Sequence, residues 1–337
     1  MSEQRCGVLA GGNFITDYVK MVDAWPEQDT LSSIRSQSMS NGGGPYNILK
    51  DLAKLDPEVP LEACGLIGSD ANGDWVIGDC QAAGIDVTQL HRTGEVATSY
   101  TDAITVASTG RRTFFHQRGA NALLAPAHFD FSATRARIFA LGYLMLLDTL
   151  DQSDRSGETG AAKVLRAARE AGLKTAVDCV SEPGPRFREV VLAALRETDI
   201  LFVNEFEIGQ VIGREVAADQ DAMVGAALEL ASEGIRSDGQ IVLHAATGVV
   251  VIRGDGSRVA HGSVLLPDSE IGGATGAGDA FAAGYLLGFH AAAGVEECLR
   301  NGVCAAAMSL ADPTPSGGMR SQRECLELGD RYGFRDF

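Results

Sequence analysis

Residues 272–284 read Gly272-Gly273-Ala274-Thr275-Gly276-Ala277-Gly278-Asp279-Ala280-Phe281-Ala282-Ala283-Gly284. A glycine-rich turn opens directly into an apolar run, the pattern of a helix start. The first N–H groups of a helix lack partners within it and lie at the positive end of its dipole, so this turn suits an anion. Glycine lets the chain approach a phosphate with no Cβ in the way. Asp279 falls in the first turn, beside whatever those N–H groups hold. Phosphoryl transfer needs stabilised charge on the moving group, positioning, and a base for the attacking hydroxyl. The amides of Gly276, Ala277 and Gly278 could supply the first, and Asp279 the last. No Lys-Ser/Thr pair follows, so this is not a Walker loop, and Phe281 stands where G-x-G-x-x-G needs its third glycine. Taken alone, an ordinary glycine turn with Asp279 favoured by the helix dipole is the better reading.

The rest of the chain places that turn in a fold. Short apolar runs at 7–10, 62–67, 138–141, 174–178, 200–203, 240–244 and 249–253 predict strands. Amphipathic stretches at 45–55, 74–83, 161–171, 187–198, 222–233, 279–292 and 295–310 predict helices between them. Such alternation predicts an α/β fold, a mostly parallel sheet with helices on both faces. Two excursions, 18–40 and 97–115, break the alternation. The second reads as a hairpin turning at Ser108-Thr109-Gly110. The two either pair into a small sheet standing off the main domain or form a loop-rich edge.

The chain has 337 residues, 45% hydrophobic and 22% charged, which excludes disorder and small disulfide-dependent scaffolds. Lys and Arg number 28 against 45 Asp and Glu, a net charge of −17. A field of that sign makes nucleic acid and anionic membranes poor partners. The apolar run near the N-terminus is too short for a signal segment, and no stretch reaches the ~18 apolar residues of a membrane span. Seven cysteines, scattered and without a C-x-x-C pair, predict free thiols in a reducing cytosol rather than disulfides or zinc.

Several ordered motifs together carry more than the glycine turn. Thr275-Gly276-Ala277-Gly278-Asp279-Ala280-Phe281 with Gly284 resembles the signature of the ribokinase-like (PfkB) carbohydrate kinases. Gly42-Gly43-Gly44-Pro45-Tyr46-Asn47 resembles the G-G-x-P-x-N element of that family. Gly68-Ser69-Asp70-Ala71-Asn72-Gly73 resembles its G-x-D-x-x-G turn, and Asn204-Glu205-Phe206-Glu207 its N-x-x-E motif. The resemblance spans about residues 7 to 318, nearly the whole chain. It implies one three-layer α/β/α kinase domain over 1–337, with 18–40 and 97–115 forming a β lid that shields ATP from water.

The resemblance also implies roles. Asp279 would be the catalytic base and Gly276, Ala277 and Gly278 the anion hole. Asp17, Gly42, Gly43 and Asn47 would bind the sugar, Asp17 at the C-terminal end of a strand and Asn47 in the first turn of a helix. Arg118 and Asn121 stand where the family often meets substrate, with Arg118 equally readable as an arginine paired to a surface acid. Thr247, Gly248 and Thr275 would serve the nucleotide. Asn204 and Glu207 would organise Mg²⁺ through water, a role compatible with a capping box.

The implied activity is transfer of the γ-phosphoryl of ATP to a hydroxyl of a small carbohydrate, with ATP and Mg²⁺ as cofactors. Alternatives are a nucleoside or 2-keto-3-deoxy sugar-acid kinase, or a sugar sensor without turnover. Exposed lid edges are compatible with a homodimer. Three positions depart from the family. Gly273 and Ala274 replace an Asp-Thr pair whose Asp helps build a monovalent-cation site in relatives. Asp178-Cys179-Val180-Ser181-Glu182 replaces D-P-N-x-R. His244 stands where glycine is common, read as capping its strand. The acidity favours a neutral acceptor unless Arg111, Arg112 and Arg118 form a local basic patch.

Overall fold

The computed structural model describes residues 5–337, so the first four residues of the domain expected over 1–337 lie outside the described residues. Its strands are β1 (Val8–Gly12), β2 (Ile15–Val22), β3 (Ile34–Gly42), β4 (Leu61–Gly68), β5 (Asp86–Thr93), β6 (Tyr100–Val106), β7 (Arg112–Gln117), β8 (Ile138–Leu144), β9 (Lys174–Cys179), β10 (Ile200–Asn204), β11 (Gln240–His244), β12 (Gly248–Arg253) and β13 (Arg258–Gly262). Nine of them form one sheet in the order β13-β12-β11-β10-β9-β8-β1-β4-β5. From β5 to β11 every neighbour is parallel, and β12 and β13 close that edge antiparallel. The fold is α/β, as the alternation predicts.

Strand side chains alternate between two cores, as a period of two requires. Val8, Ala10 and Val242 face one core, shared with the helices Gly44–Leu55, Ala277–His290 and Val295–Ser309. Leu9, Ile241 and Leu243 face the other, shared with the helices Gly160–Glu170, Phe187–Leu195, Glu205–Ile212 and Gln220–Ser232. Burying one such Leu or Ile contributes about 1.5–3 kcal/mol. The runs predict these strands because both faces are covered. The sequence pattern misses β5 and β13, the two edges, where fewer side chains are buried. It also misses the helix Glu205–Ile212, which starts directly after the last residue of β10, and the helix Gln322–Tyr332.

The two excursions pair with each other. They build a four-stranded sheet in the order β3-β2-β6-β7. Its centre is a parallel pairing of β2 with β6 from Thr16 opposite Tyr100 to Val22 opposite Val106. All seven cysteines are free, six buried and Cys6 exposed. Among the described residues, no helix is long and apolar enough to cross a membrane.

One core carboxyl stands out. Asp51 is wholly buried in the helix Gly44–Leu55. Burial raises its pKa well above the usual range, reinforced by Asp279, while Ser316, Lys54 and Lys50 pull the other way. A carboxyl raised in the folded state weakens the fold as pH climbs past its unfolded value of about 3.9, because only the unfolded chain then ionises freely. Asp51→Asn is therefore expected to be more stable than the parent at pH 7 by on the order of 1 kcal/mol, the two converging near about pH 4. Chemical denaturation across that range checks this. A variant less stable at pH 7 would mean that Asp51 is ionised and held by its lysines.

Candidate active site

Four neighbouring parallel strands end on one cavity. Tyr143 lies at the end of β8, Asp178 and Cys179 end β9, Asn204 ends β10 and His244 ends β11. With the start of the helix Ala277–His290 they line a cavity of about 740 Å³, which Ile15, Asp17, Thr101 and His116 of the small sheet also line. Ligand sites of open α/β sheets lie outside the carboxyl ends of the strands, where order reverses, and here it reverses at β1 between β4 and β8.

Asp279 is the third residue of its helix, behind Gly276 as N-cap. Gly276 has φ +79°, and a Cβ there would meet Pro315, so both conformation and space demand glycine. The Asp279 carboxylate is buried and held from two sides. Asn47 Nδ2 donates to Oδ2 at 2.8 Å, and the Tyr143 hydroxyl lies 2.7 Å from both oxygens. The Asn47 amide is oriented in turn, since its Oδ1 accepts from Asn41 Nδ2 at 2.7 Å. Tyr143 is set by Asn13, whose Oδ1 accepts from the Tyr143 N–H and whose Nδ2 donates to the Leu146 carbonyl at 3.1 Å. Burial lifts the Asp279 pKa to about 6, and the bonds from Asn47 and Tyr143 restrain the rise. A carboxylate accepts about four hydrogen bonds, so Asp279 Oδ1 keeps room for a hydroxyl.

Three further carboxyls face the same space. Burial raises Asp17 to about 7, opposed by Thr101 and helped by the charge of Asp279. Glu207 rises to about 7 by burial, opposed by the Asn204 backbone and Ser181. Asp178 is also raised well above the usual carboxylate range, by burial and by the charges of Glu207 and Asp279. Glu207 closes a capping box: Asn204 N donates to Oε2 at 2.9 Å, and Glu207 N donates to Asn204 Oδ1 at 2.8 Å. Its Oε1 accepts from Ser181 Oγ at 2.7 Å and from Asn204 Nδ2 at 2.9 Å.

A second cavity of about 480 Å³ meets the first at Asn204, His244, Ala274, Ala277 and Gly278. Its far walls, from Ala245 and Val249 to Val303 and Ala307, are mostly apolar. His244 borders both cavities, its ring 5.5 Å from that of Phe281, and burial lowers its pKa to about 4. It is a neutral imidazole facing the ligand space, not merely the end of a strand.

Residues 8–320 match the family model of the pfkB family carbohydrate kinases. The chain belongs to that family. An ATP-dependent ribose-1-phosphate kinase of Halopiger xanaduensis is 29% identical over 297 residues, 87% of this chain and 88% of that protein. A ribokinase of Haemophilus influenzae is 26% identical, over 94% of this chain and 96% of its own length. Arabidopsis thaliana ribokinase, solved with ribose and ATP, superposes with a TM-score of 0.77 at 19% identity, over 96% of this chain and 99% of that one. As a pfkB-family kinase the protein is a transferase of phosphoryl groups to an alcohol.

Against this family frame the expected site residues divide. Asp17, Gly43, Asn47, Asn204, Glu207, Thr275, Gly276, Ala277, Gly278 and Asp279 line the larger cavity. Asp17 does so from within β2, not from the end of a main-sheet strand, because the chain turns after Gly12 and enters the small sheet. Gly42 stands against the Asp17 carboxyl. Arg118 lines the cavity, but its guanidinium is bound to Glu182 at 2.8 and 2.9 Å and to the Met145 carbonyl at 2.8 Å. Asn121 lies outside that lining; it is fully buried and bridges the backbone N–H and carbonyl of Phe14 at 3.4 Å. Thr247 turns its hydroxyl to the Ala218 carbonyl at 2.5 Å, while Gly248 lines the smaller cavity.

Sequence reasoning missed Tyr143, Asn13, Asn41 and Asp178. Tyr143, Asn13 and Asp178 carry a signal, a polar group closing an apolar strand run; Asn41 needs the fold. Tyr143→Phe removes one bond that stabilises ionised Asp279. It is expected to move the acid limb of the pH–rate profile upward from about 6 by about one pH, the worth of one charged hydrogen bond. An unmoved limb would show that Tyr143 does not tune the carboxylate.

Proposed function

We propose that this protein transfers the γ-phosphoryl of ATP to a hydroxyl, a primary alcohol, of a small carbohydrate. The observation that carries this is the Asp279 carboxylate, held by Asn47 and Tyr143 at the junction of the two cavities. The nucleotide lies in the smaller, apolar cavity beside Gly248, with its phosphates at Thr275 and the Gly276–Gly278 turn. The acceptor lies in the larger one between Asp17, Gly42, Gly43 and Asn47. Asp279 takes the proton of the acceptor hydroxyl, the oxygen bonds to the γ-phosphorus, and the bond to the ADP oxygen breaks. The N–H groups of residues 276–278 hold the charge of the moving group. The small sheet acts as a lid that excludes water.

Mg²⁺ fits this donor set through water. Glu207 already accepts three hydrogen bonds, and among the described residues no three His, Cys, Asp or Glu converge on one point. Asn204 and Glu207 would orient its water shell, and the ion would neutralise phosphate charge. Seven unpaired cysteines suit a reducing cytosol, where ATP is also at hand. The exposed edges β3 and β7 of the small sheet leave room for a homodimer. A phosphorylated acceptor is the second reading, favoured by the relative named for ribose 1-phosphate. A sugar acid is less favoured, since Glu182 holds Arg118.

An ADP-release screen over sugars, ribose 1-phosphate, sugar acids and nucleosides tests this. Asp279→Asn is expected to keep acceptor binding and lose about 10³-fold or more in kcat. Good sugar binding with no ADP release from any acceptor would leave a sensor, not a kinase. The same assay is expected to show less than about twofold activation by potassium, because Gly273 offers no carboxylate; an activation on the order of the whole rate would contradict that.

A further inference from the structure

The smaller cavity is completed by a strap of chain past residue 320, outside the stretch that matches the family. After the helix Gln322–Tyr332, Gly333 takes φ +72° and the chain turns back onto the main sheet. Residues 333–335 then pair with 263–265, the run that follows edge strand β13. Leu265 N donates to the Gly333 carbonyl at 2.9 Å, Arg335 N donates to the Ser263 carbonyl at 2.8 Å, and Val264 stands antiparallel to Phe334. Two glycines opposite each other in β12 and β13 make room for this strap. A Cβ on Gly262 would collide with the Arg335 carbonyl, and one on Gly248 would lie 2.6 Å from the Phe337 ring. Glycine within a strand often marks the close approach of another backbone, and here the strap is what approaches. The Phe334 ring meets His261 edge-on, with centroids 4.7 Å apart.

The strap brings one side chain to the ligand space. Arg335 lines the smaller cavity and not the larger one. Its Nε donates to Ser263 Oγ at 3.1 Å, and that hydroxyl donates to the Ala246 carbonyl at 2.8 Å. The guanidinium plane is thus anchored along one edge. Among the described residues, its Nη groups meet no acceptor and no carboxylate lies within ion-pair distance of it. Glu205, the carboxylate that lines this cavity, follows Asn204 at the end shared with the larger one. The far walls are mostly apolar, with Val264, Leu266, Ile271 and Leu310 among them. A flat aromatic ring suits such walls, because a guanidinium stacks on an aromatic face and is drawn to its negative quadrupole.

We propose that Arg335 is a nucleotide-binding residue that stacks its guanidinium on the base of the nucleoside triphosphate, with Ser263 fixing the plane. This rests on the kinase reading above. The shared end of the cavity, with Ala277 and Gly278, takes the phosphates, so the base lies toward the far walls and the strap. Grip on the base then comes from the strap and the run it pairs with, and grip on the phosphates from the glycine turn. The two contributions are separable by experiment.

The test compares Arg335→Ala, Arg335→Lys and Ser263→Ala with the parent protein, each first checked for an unchanged thermal melt. Calorimetry reads the affinity for a non-hydrolysable ATP analogue and for inorganic tripolyphosphate, which has the phosphates and no base. Arg335→Ala is expected to lose about tenfold for the analogue, the worth of one stacking contact, with tripolyphosphate unchanged. In turnover, KM for ATP rises by the same factor while kcat and the acceptor KM stay in place. Arg335→Lys falls close to Arg335→Ala, since an ammonium offers no plane. Ser263→Ala loses about threefold for the analogue, as the plane is released.

Equal losses for the analogue and tripolyphosphate, or a fall in kcat, overturn the proposal in favour of a charge acting on phosphate. Parent-like affinity for the analogue in Arg335→Ala or Arg335→Lys also overturns it, while turnover by the parent leaves the kinase reading standing. If the parent binds neither probe and releases no ADP, the kinase reading and the proposal fail together. Should Arg335→Ala not fold, Arg335→Lys carries the same decision.

Discussion

The active centre depends on keeping one carboxylate ionisable where water is scarce. Asp279 is buried, and burial alone favours its neutral form. Two donors, Asn47 Nδ2 and the Tyr143 hydroxyl, offset that cost. They come from opposite parts of the chain: Asn47 from the first helix, Tyr143 from the end of β8. Each is itself oriented by a buried asparagine, Asn41 and Asn13. A carboxyl tuned near neutrality is thus a product of three-dimensional arrangement, and local sequence supplies only its position in a helix turn.

The large sheet makes this arrangement possible. Its parallel strands bring Tyr143, Asp178, Asn204 and His244 to one rim, though these residues are spread over about a third of the chain. Hydrophobic alternation sets the strands between two cores, and the rim receives the residues left over at strand ends. Three carboxyls crowd Asp279 there, and its charge raises Asp17, Asp178 and Glu207, while Glu207 also raises Asp178. Such a rim repels a bare polyanion. Cationic help must arrive with the ligand or from outside the rim, which reconciles a chain of net charge −17 with a phosphorylated cofactor.

Much of the fold is legible because buried strands must be apolar throughout, as Ile200 to Val203 are. The glycine turn is legible because Gly276 answers a local constraint, a positive φ against Pro315. Arg118 and Asn121 show where such reading ends. Both lie beside the hairpin and have the right chemistry, yet the fold commits Arg118 to Glu182 and Asn121 to the backbone of Phe14. Asp178 shows the converse. Its segment is unlike the familiar motif, but β9 carries it to the cavity regardless of motif. Edge strands β5 and β13 escape notice because one face or more meets solvent, which blurs the apolar signal.

The parallel pairing of β2 with β6 has a consequence for how the cavity wall it supplies can change. The two strands come from separate excursions about 60 residues apart, yet each is the other's inner neighbour over the row from Thr16–Tyr100 to Val22–Val106. Exchanging one excursion for that of a relative would leave the other with a bare row of N–H and C=O groups. Changes to the cavity wall that this sheet supplies therefore have to travel as a matched pair of segments, or arise by single side-chain changes on strands whose backbone partners stay in place.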